Sequence, residues 1–196
     1  LQVKLSPTPI SDPVQAKVFQ IMNRGRRSLS LDLSKPEGRE VIYRLMPSVD
    51  VVLINYRPGV AERLGIDYET LRQYRPDLIY GEINAYGFEG PMAQTAGSDL
   101  TASAYGGVVA LTDAYEEDGA PRQLHPPISG DLPSGLGIAI GILAALYHRK
   151  ETGEGQVVRT SLLHAAMMMT CFNNNTDPVH DPNGFDLSRA ALKATR

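Results

Sequence analysis

Residues Asp50 to Asn55 read DVVLIN, a run too short for a helix and apolar on both of its pleated faces. A strand of that kind is stable only inside a parallel sheet with helices packed above and below it. The neighbouring segments fit that requirement. Ser28 to Leu33 (SLSLDL) alternates apolar and polar residues as a half-buried strand does, and Leu78 to Ala85 (LIYGEINA) forms a further strand. Between them, Ser34 is placed to N-cap a helix with Pro36 and Glu37 in its first turn, running to about Met46. After Arg57-Pro-Gly breaks the second strand, Val60 to Leu64 and Tyr68 to Tyr74 form two short helices. Strand, helix, strand, helix, strand with right-handed crossovers is a doubly wound α/β fold, a parallel sheet with helices on both faces.

Such sheets bind ligands beyond the carboxyl ends of their strands. Asn55, Tyr56 and Arg57 stand at one of those ends and Tyr86-Gly87 at another. Further along, Asp99 to Tyr105 has a helical pattern, and Val108 to Thr112 fits either type of element. Asp131 to Lys150 carries the longest helical signal, with Gly135, Gly137 and Gly141 permitting another backbone to approach and cations suited to its C-terminus. Its apolar run, Leu136 to Tyr147, is twelve residues long, which predicts a buried core helix rather than a membrane span. A turn over Glu151 to Gly155, a strand over Gln156 to Ser161 and a helix over Leu162 to Cys171 follow. Beyond Asn173, two Asp-Pro pairs and an Asn-Gly mark a linker.

Composition narrows the function classes. The formal net charge of -3 gives no global attraction to nucleic acid or to an anionic membrane, so an anion site must be a local basic cluster. The single cysteine, Cys171, and an opening stretch without the pattern of a signal peptide predict a cytoplasmic protein. The four histidines lack metal-ligand spacing, so no metal is expected. Gly135-Leu-Gly-Ile-Ala-Ile-Gly lies within a helix with its last glycine misplaced for a dinucleotide fingerprint, and no phosphate-binding P-loop or nucleophile elbow is present.

Two features could carry chemistry. Asp131, in Ile128-Ser-Gly-Asp-Leu-Pro-Ser-Gly, is either an N-cap or a carboxylate that substrate can approach over Gly130, with backbone N–H groups near enough to hold an oxyanion. Asn23-Arg-Gly-Arg-Arg-Ser is either a solvated turn or a phosphate grip. With Arg57 and Arg63 after the second strand, it is expected to flank the same sheet.

Taken together, NRGRRSLSLDLSKPEGRE, DVVLINYRPGVAERLGIDYETL, RPDLIYGEINAYGFEGP, GSDLTASAYGG, the segment around Asp131 and GILAALYHRKETGEGQVV resemble family III coenzyme A (CoA) transferases. That family includes formyl-CoA transferase, carnitine CoA transferase and α-methylacyl-CoA racemase. The resemblance implies that residues 1–172 are part of a Rossmann-like CoA-binding and catalytic domain. Residues 173–196 would then be a linker and the start of a helix leading to a small second domain. It further implies an interlocked homodimer of longer chains, with acyl-CoA and a carboxylic acid as substrates and no tightly bound cofactor.

By the same resemblance Asp131 is the catalytic aspartate. Leu31, Asp32, Leu33, Ser34, Asn55, Tyr56 and Arg63 line CoA, Arg24 and Arg27 lie near its phosphates, and Ala96, Gly97, Ser98 and Asp99 form the loop near the thioester. The racemase branch has a histidine where this chain has Ser98. A hydroxyl does not take up a proton near neutral pH, so transfer of CoA through an aspartyl-acyl anhydride is expected over racemisation. The alternatives are an acyl-CoA racemase or isomerase of the same family and a non-catalytic CoA-binding fragment.

Overall fold

A computed structural model describes residues 2–3, 13–108, 118–120 and 129–171. Among them, β3 (Val51–Ile54), β4 (Ile79–Asn84) and β5 (Gln156–Ser161) form a three-stranded parallel sheet in that order, with β4 in the centre. The shorter strands β1 (Gln2–Val3) and β2 (Ser28–Leu29) pair with each other in a separate parallel ribbon. The helices are α1 (Pro13–Met22), α2 (Pro36–Leu45), α3 (Val60–Leu64), α4 (Tyr68–Leu71), α5 (Asp99–Tyr105), α6 (Asp131–Thr152) and α7 (Leu162–Met169).

Register decides what covers each face. Val52, Tyr80 and Val157 lie side by side across the sheet and join the core of Leu33, Met46, Ala61, Ile66, Leu71 and Leu78. Each fully buried leucine there contributes about 1.5–3 kcal/mol. The Tyr80 hydroxyl donates a 2.6 Å hydrogen bond to the Ile66 carbonyl, and burial pushes its pKa well above the usual phenol range. Leu53, Gly81 and Val158 face the other way, toward α6.

At the amino ends of the strands, two arginines tie three elements together. Arg75 Nη2 and Arg149 Nη2 each donate to Asp50 Oδ1 at 3.0 Å, and Arg75 Nε lies 2.5 Å from Asp77 Oδ1. Arg149 Nη1 also donates to the Asp77 carbonyl at 3.3 Å, which fixes the C-terminal part of α6 against the starts of β3 and β4.

Several expectations need correction. The first strand covers only Ser28–Leu29 and pairs outside the main sheet, so the Arg24/Arg27 cluster and Arg63 do not flank strands of one sheet. Ser34 does not cap α2; Lys35 holds the N-cap position, and Ser34 gives both its N–H and its hydroxyl to Asp32 Oδ1. Asp32, two residues earlier, thus takes the hydroxyl that a cap would have used. α4 stops at Leu71 rather than at Tyr74. The strand over Val51–Ile54 is an edge strand, and Leu53 is 54% exposed because α6 packs over β4 and β5 instead.

α6 itself departs furthest from expectation. It runs for 22 residues, long and apolar enough to cross a membrane by length and composition alone. It buries only Ser134, Ile138 and Ala145, while Leu132, Leu136, Ile140, Leu143 and Tyr147 form an exposed stripe. Gly141 packs closely on Val158, as a glycine in a helix crossing a sheet can, but among the described residues nothing lies within 4 Å of a methyl at Gly135 or Gly137. The helix ends where Gly153 turns left-handed, after Arg149 and Lys150 in its last turn. Residues 109–112 and the linker assigned beyond Asn173 lie outside the described residues.

Candidate functional site

The site is built where β4 and β5 end. Asn84, the last residue of β4, exchanges two hydrogen bonds with Gly87, its Nδ2 donating to the carbonyl at 2.9 Å and its Oδ1 accepting the N–H at 2.7 Å. This closes the turn that carries Tyr86. The segment Ala96-Gly97-Ser98 crosses that turn closely: a methyl on Gly97 would stand 2.5 Å from the Ala85 Cβ and 2.7 Å from the Tyr86 ring. Arg57 Nη1 adds a tie from the end of β3, donating to the Gln94 carbonyl at 3.3 Å.

Ser98 then N-caps α5, with Thr101 Oγ1 accepting the Ser98 N–H at 2.9 Å. Asp99, the next residue, does not serve its own helix. Its side chain is buried, and its Oδ1 accepts the N–H of Gly130 at 2.6 Å and the N–H of Asp131 at 2.7 Å. These are short, charge-assisted bonds across 31 and 32 residues of sequence.

Asp131 is therefore not an N-cap. Gly130 occupies that position, Asp131 is the first residue of α6, and the capping carboxylate comes from Asp99. The Ser134 hydroxyl donates to the Asp131 carbonyl at 3.0 Å and locks the first turn. The Asp131 side chain stays on the surface. Its pKa is nonetheless raised, chiefly because the protein beneath strips away hydration and secondly because the Asp99 carboxylate is close. The expected oxyanion donors also change. The N–H groups of Gly130 and Asp131 already serve Asp99, and Pro133 has none. Ser134 gives its N–H to the Gly130 carbonyl, so Leu132 N–H is the first-turn donor without an acceptor among the described residues.

The other residues assigned by resemblance divide into groups. Asp32 and Ser34 are exposed beside each other, and hydrogen bonds from Ser34 lower the Asp32 pKa. Leu31 is half-buried, whereas Leu33 is 1% exposed in the core and can offer a ligand little but backbone. Asn55 is exposed at the end of β3 and Arg63 in the last turn of α3, and Tyr56 packs partly into the core. Arg24 and Arg27 are exposed ahead of β2. Ala96, Gly97 and Ser98 lie on the surface beside α5, and only Asp99 is brought into direct contact with the Asp131 backbone.

A cleft of about 210 Å³ between the ends of β3 and β4, lined by Tyr56, Arg57, Glu82, Phe88 and Arg159, went unseen in the sequence. There Arg159 Nε donates to Glu82 Oε2 at 2.6 Å and its guanidinium stacks on the Phe88 ring at 4.8 Å. Only strand register places residues 82 and 159 side by side.

A comparison with protein families matches residues 6–184 to CoA-transferase family III. The chain belongs to CoA-transferase family III. Succinyl-CoA:mesaconate CoA-transferase of Haloarcula hispanica is 42% identical over 157 residues, which cover 78% of this chain and 39% of that protein. Formyl-CoA:oxalate CoA-transferase of Streptomyces coelicolor is 33% identical over 154 residues, 79% of this chain and 37% of the relative. The crystal structure of a CAIB/BAIF family protein from Brucella suis superposes with a TM-score of 0.73 at 33% identity, over 83% of this chain and 42% of that one. The chain thus spans about two-fifths of the length of the family III relatives it matches.

Proposed function

We propose that the full-length protein moves CoA between two carboxylic acids, with Asp131 as its nucleophile. The observation that carries this reading is a solvent-facing carboxylate on a helix mouth at the carboxyl ends of β4 and β5, its backbone clamped from below by Asp99. Loss of hydration makes that carboxylate more basic than an ordinary aspartate, and more nucleophilic once ionised.

An Asp131 oxygen attacks the donor thioester carbonyl, the C–S bond breaks, CoA leaves as thiolate and an aspartyl-acyl anhydride remains. Thiolate attack on the aspartyl carbonyl releases the first acid as carboxylate and leaves an aspartyl thioester. The second acid enters by the same two steps reversed, so one thioester replaces another and no further energy source is consumed. In this reading the Leu132 N–H, in the first turn of the same helix, is the donor for the oxyanion of the tetrahedral intermediates.

Arg24, Arg27 and Arg63 supply charge for the phosphates of CoA, with Leu31 to Ser34, Asn55, Tyr56, Ala96, Gly97 and Ser98 along its length. Ser98 offers a hydroxyl and no second base, which supports transfer over racemisation. The closing test is Asp131→Ala in the full-length protein, with hydroxylamine added to the wild type during turnover. The expected results are loss of transfer in the variant and an aspartyl hydroxamate at residue 131 in the wild type. Undiminished turnover by Asp131→Ala would end the assignment.

A further inference from the structure

We infer that Asp99 is a positioning residue for the Asp131 nucleophile, its buried carboxylate holding residues 130 and 131 from beneath so that the Asp131 carboxylate projects from the mouth of α6. The inference rests on the transferase reading of Asp131. It departs from the resemblance, which placed Asp99 among residues lining the thioester.

Three observations carry it. The Asp99 side chain is 7% exposed, so its carboxylate is turned into the protein and away from any ligand on the surface. One oxygen, Oδ1, takes both N–H groups at 2.6 and 2.7 Å, and together those two bonds fix the peptide planes on either side of Gly130. The approach is also close from outside: a methyl on Gly130 would meet the same Asp99 oxygen at 2.9 Å and the Leu162 Cβ at 3.3 Å. Gly130 is thus wedged between α5 and the start of α7, and Asp131 has one way to leave the wedge.

The same carboxylate acts on the chemistry of its neighbour. Among the described residues, Asp99 on α5 is the one charged group whose field reaches the Asp131 carboxyl, and it raises that pKa after the larger effect of burial. On α7, His164 stands over Gly87 instead. Asp99 therefore does two separable things, holding geometry through an acceptor oxygen and raising basicity through its charge.

Two substitutions in the full-length protein separate them. Asp99→Asn keeps an oxygen acceptor of the same shape and removes the charge; Asp99→Ala removes both. Each is assayed for kcat, for KM toward acyl-CoA and for the pH dependence of kcat/KM, with circular dichroism as a check on folding. The expected outcome for Asp99→Asn is a folded enzyme with kcat within about tenfold of wild type and an acidic limb moved to lower pH. For Asp99→Ala, kcat should fall on the order of a hundredfold with KM little changed, as a displacement near 1 Å brings about.

A rise in KM with kcat intact in either variant would make Asp99 a ligand contact and overturn the inference. So would an acidic limb that stays in place in Asp99→Asn. Should Asp99→Ala unfold, the Asn variant alone decides by its pH limb. Hydroxamate trapping on wild-type Asp131 is independent of both variants, so a failed nucleophile assignment is distinguishable from a failed role for Asp99.

Discussion

Replacing Gly130 by alanine probes the wedge beneath Asp131 directly. The backbone there, at φ -117° and ψ -55°, accepts an L-residue without strain, so any cost is one of space. The new methyl would stand 2.9 Å from Asp99 Oδ1 and 3.3 Å from the Leu162 Cβ, with the Leu162 carbonyl oxygen at 3.5 Å. Relief requires the carboxylate or the chain to yield by about 0.3–0.5 Å, the difference from an ordinary van der Waals contact. Overpacking of this kind costs about 1–3 kcal/mol, offset by about 0.4–1 kcal/mol from the less flexible unfolded chain. The net loss is about 0.5–2 kcal/mol. At roughly 2–4 °C per kcal/mol for a domain of this size, calorimetry should record a melting point lower by about 1–8 °C.

A displacement of a few tenths of an ångström at Asp131 should lower kcat by about four- to tenfold, scaling from a hundredfold per ångström. Gly135→Ala is the control on the same helix, because none of the described residues lies within 4 Å of its methyl. It should stabilise the 196-residue chain by about 0.5–1 kcal/mol through helix propensity. If both variants melt alike, or if Gly130→Ala retains full kcat in the complete enzyme, the argument from close packing fails.

Asp131→Asn tests the raised pKa through stability. A folded-state pKa above 3.8 means the folded chain holds its proton longer than the unfolded one, so wild-type stability falls as pH rises from 3.8 through the folded value. The asparagine variant lacks that loss. Its urea midpoint should exceed the wild type's at pH 7 and converge with it at pH 3, and equal differences at both would refute the shift. Gly155→Ala should destabilise by about 2–4 kcal/mol in urea melts, because its methyl would overlap the Leu78 carbonyl oxygen and break the 3.1 Å bond from Gln156 N–H that begins the β4–β5 ladder. A midpoint within error of wild type would refute that contact.

What was legible in the sequence was whatever depends on near neighbours. The apolar run at Val51–Ile54, the strand at Ile79–Asn84 and the long helix from Asp131 were all visible as periodicity, because side-chain spacing within one element sets burial. Caps proved harder, since the Ser34 hydroxyl donates to the Asp32 carboxylate two residues earlier instead of accepting from the helix. The clamp from Asp99 to Gly130 and the pair Glu82–Arg159 span 31 and 77 residues, and no local pattern encodes a contact at that separation. Asp131 was singled out by its resemblance to a family. Spacing alone left it as a cap, and the cap turned out to be Asp99.

The arginine cluster of Arg75 and Arg149 with Asp50 and Asp77 sits at the opposite end of the sheet from Asp131. That separation divides the chain into a foundation and a workbench. Changes to the segments after β3 and β4 alter what stands near Asp131 without disturbing the ion pairs that anchor the strands. Substitutions can therefore accumulate at one end of the sheet while the other keeps the scaffold assembled.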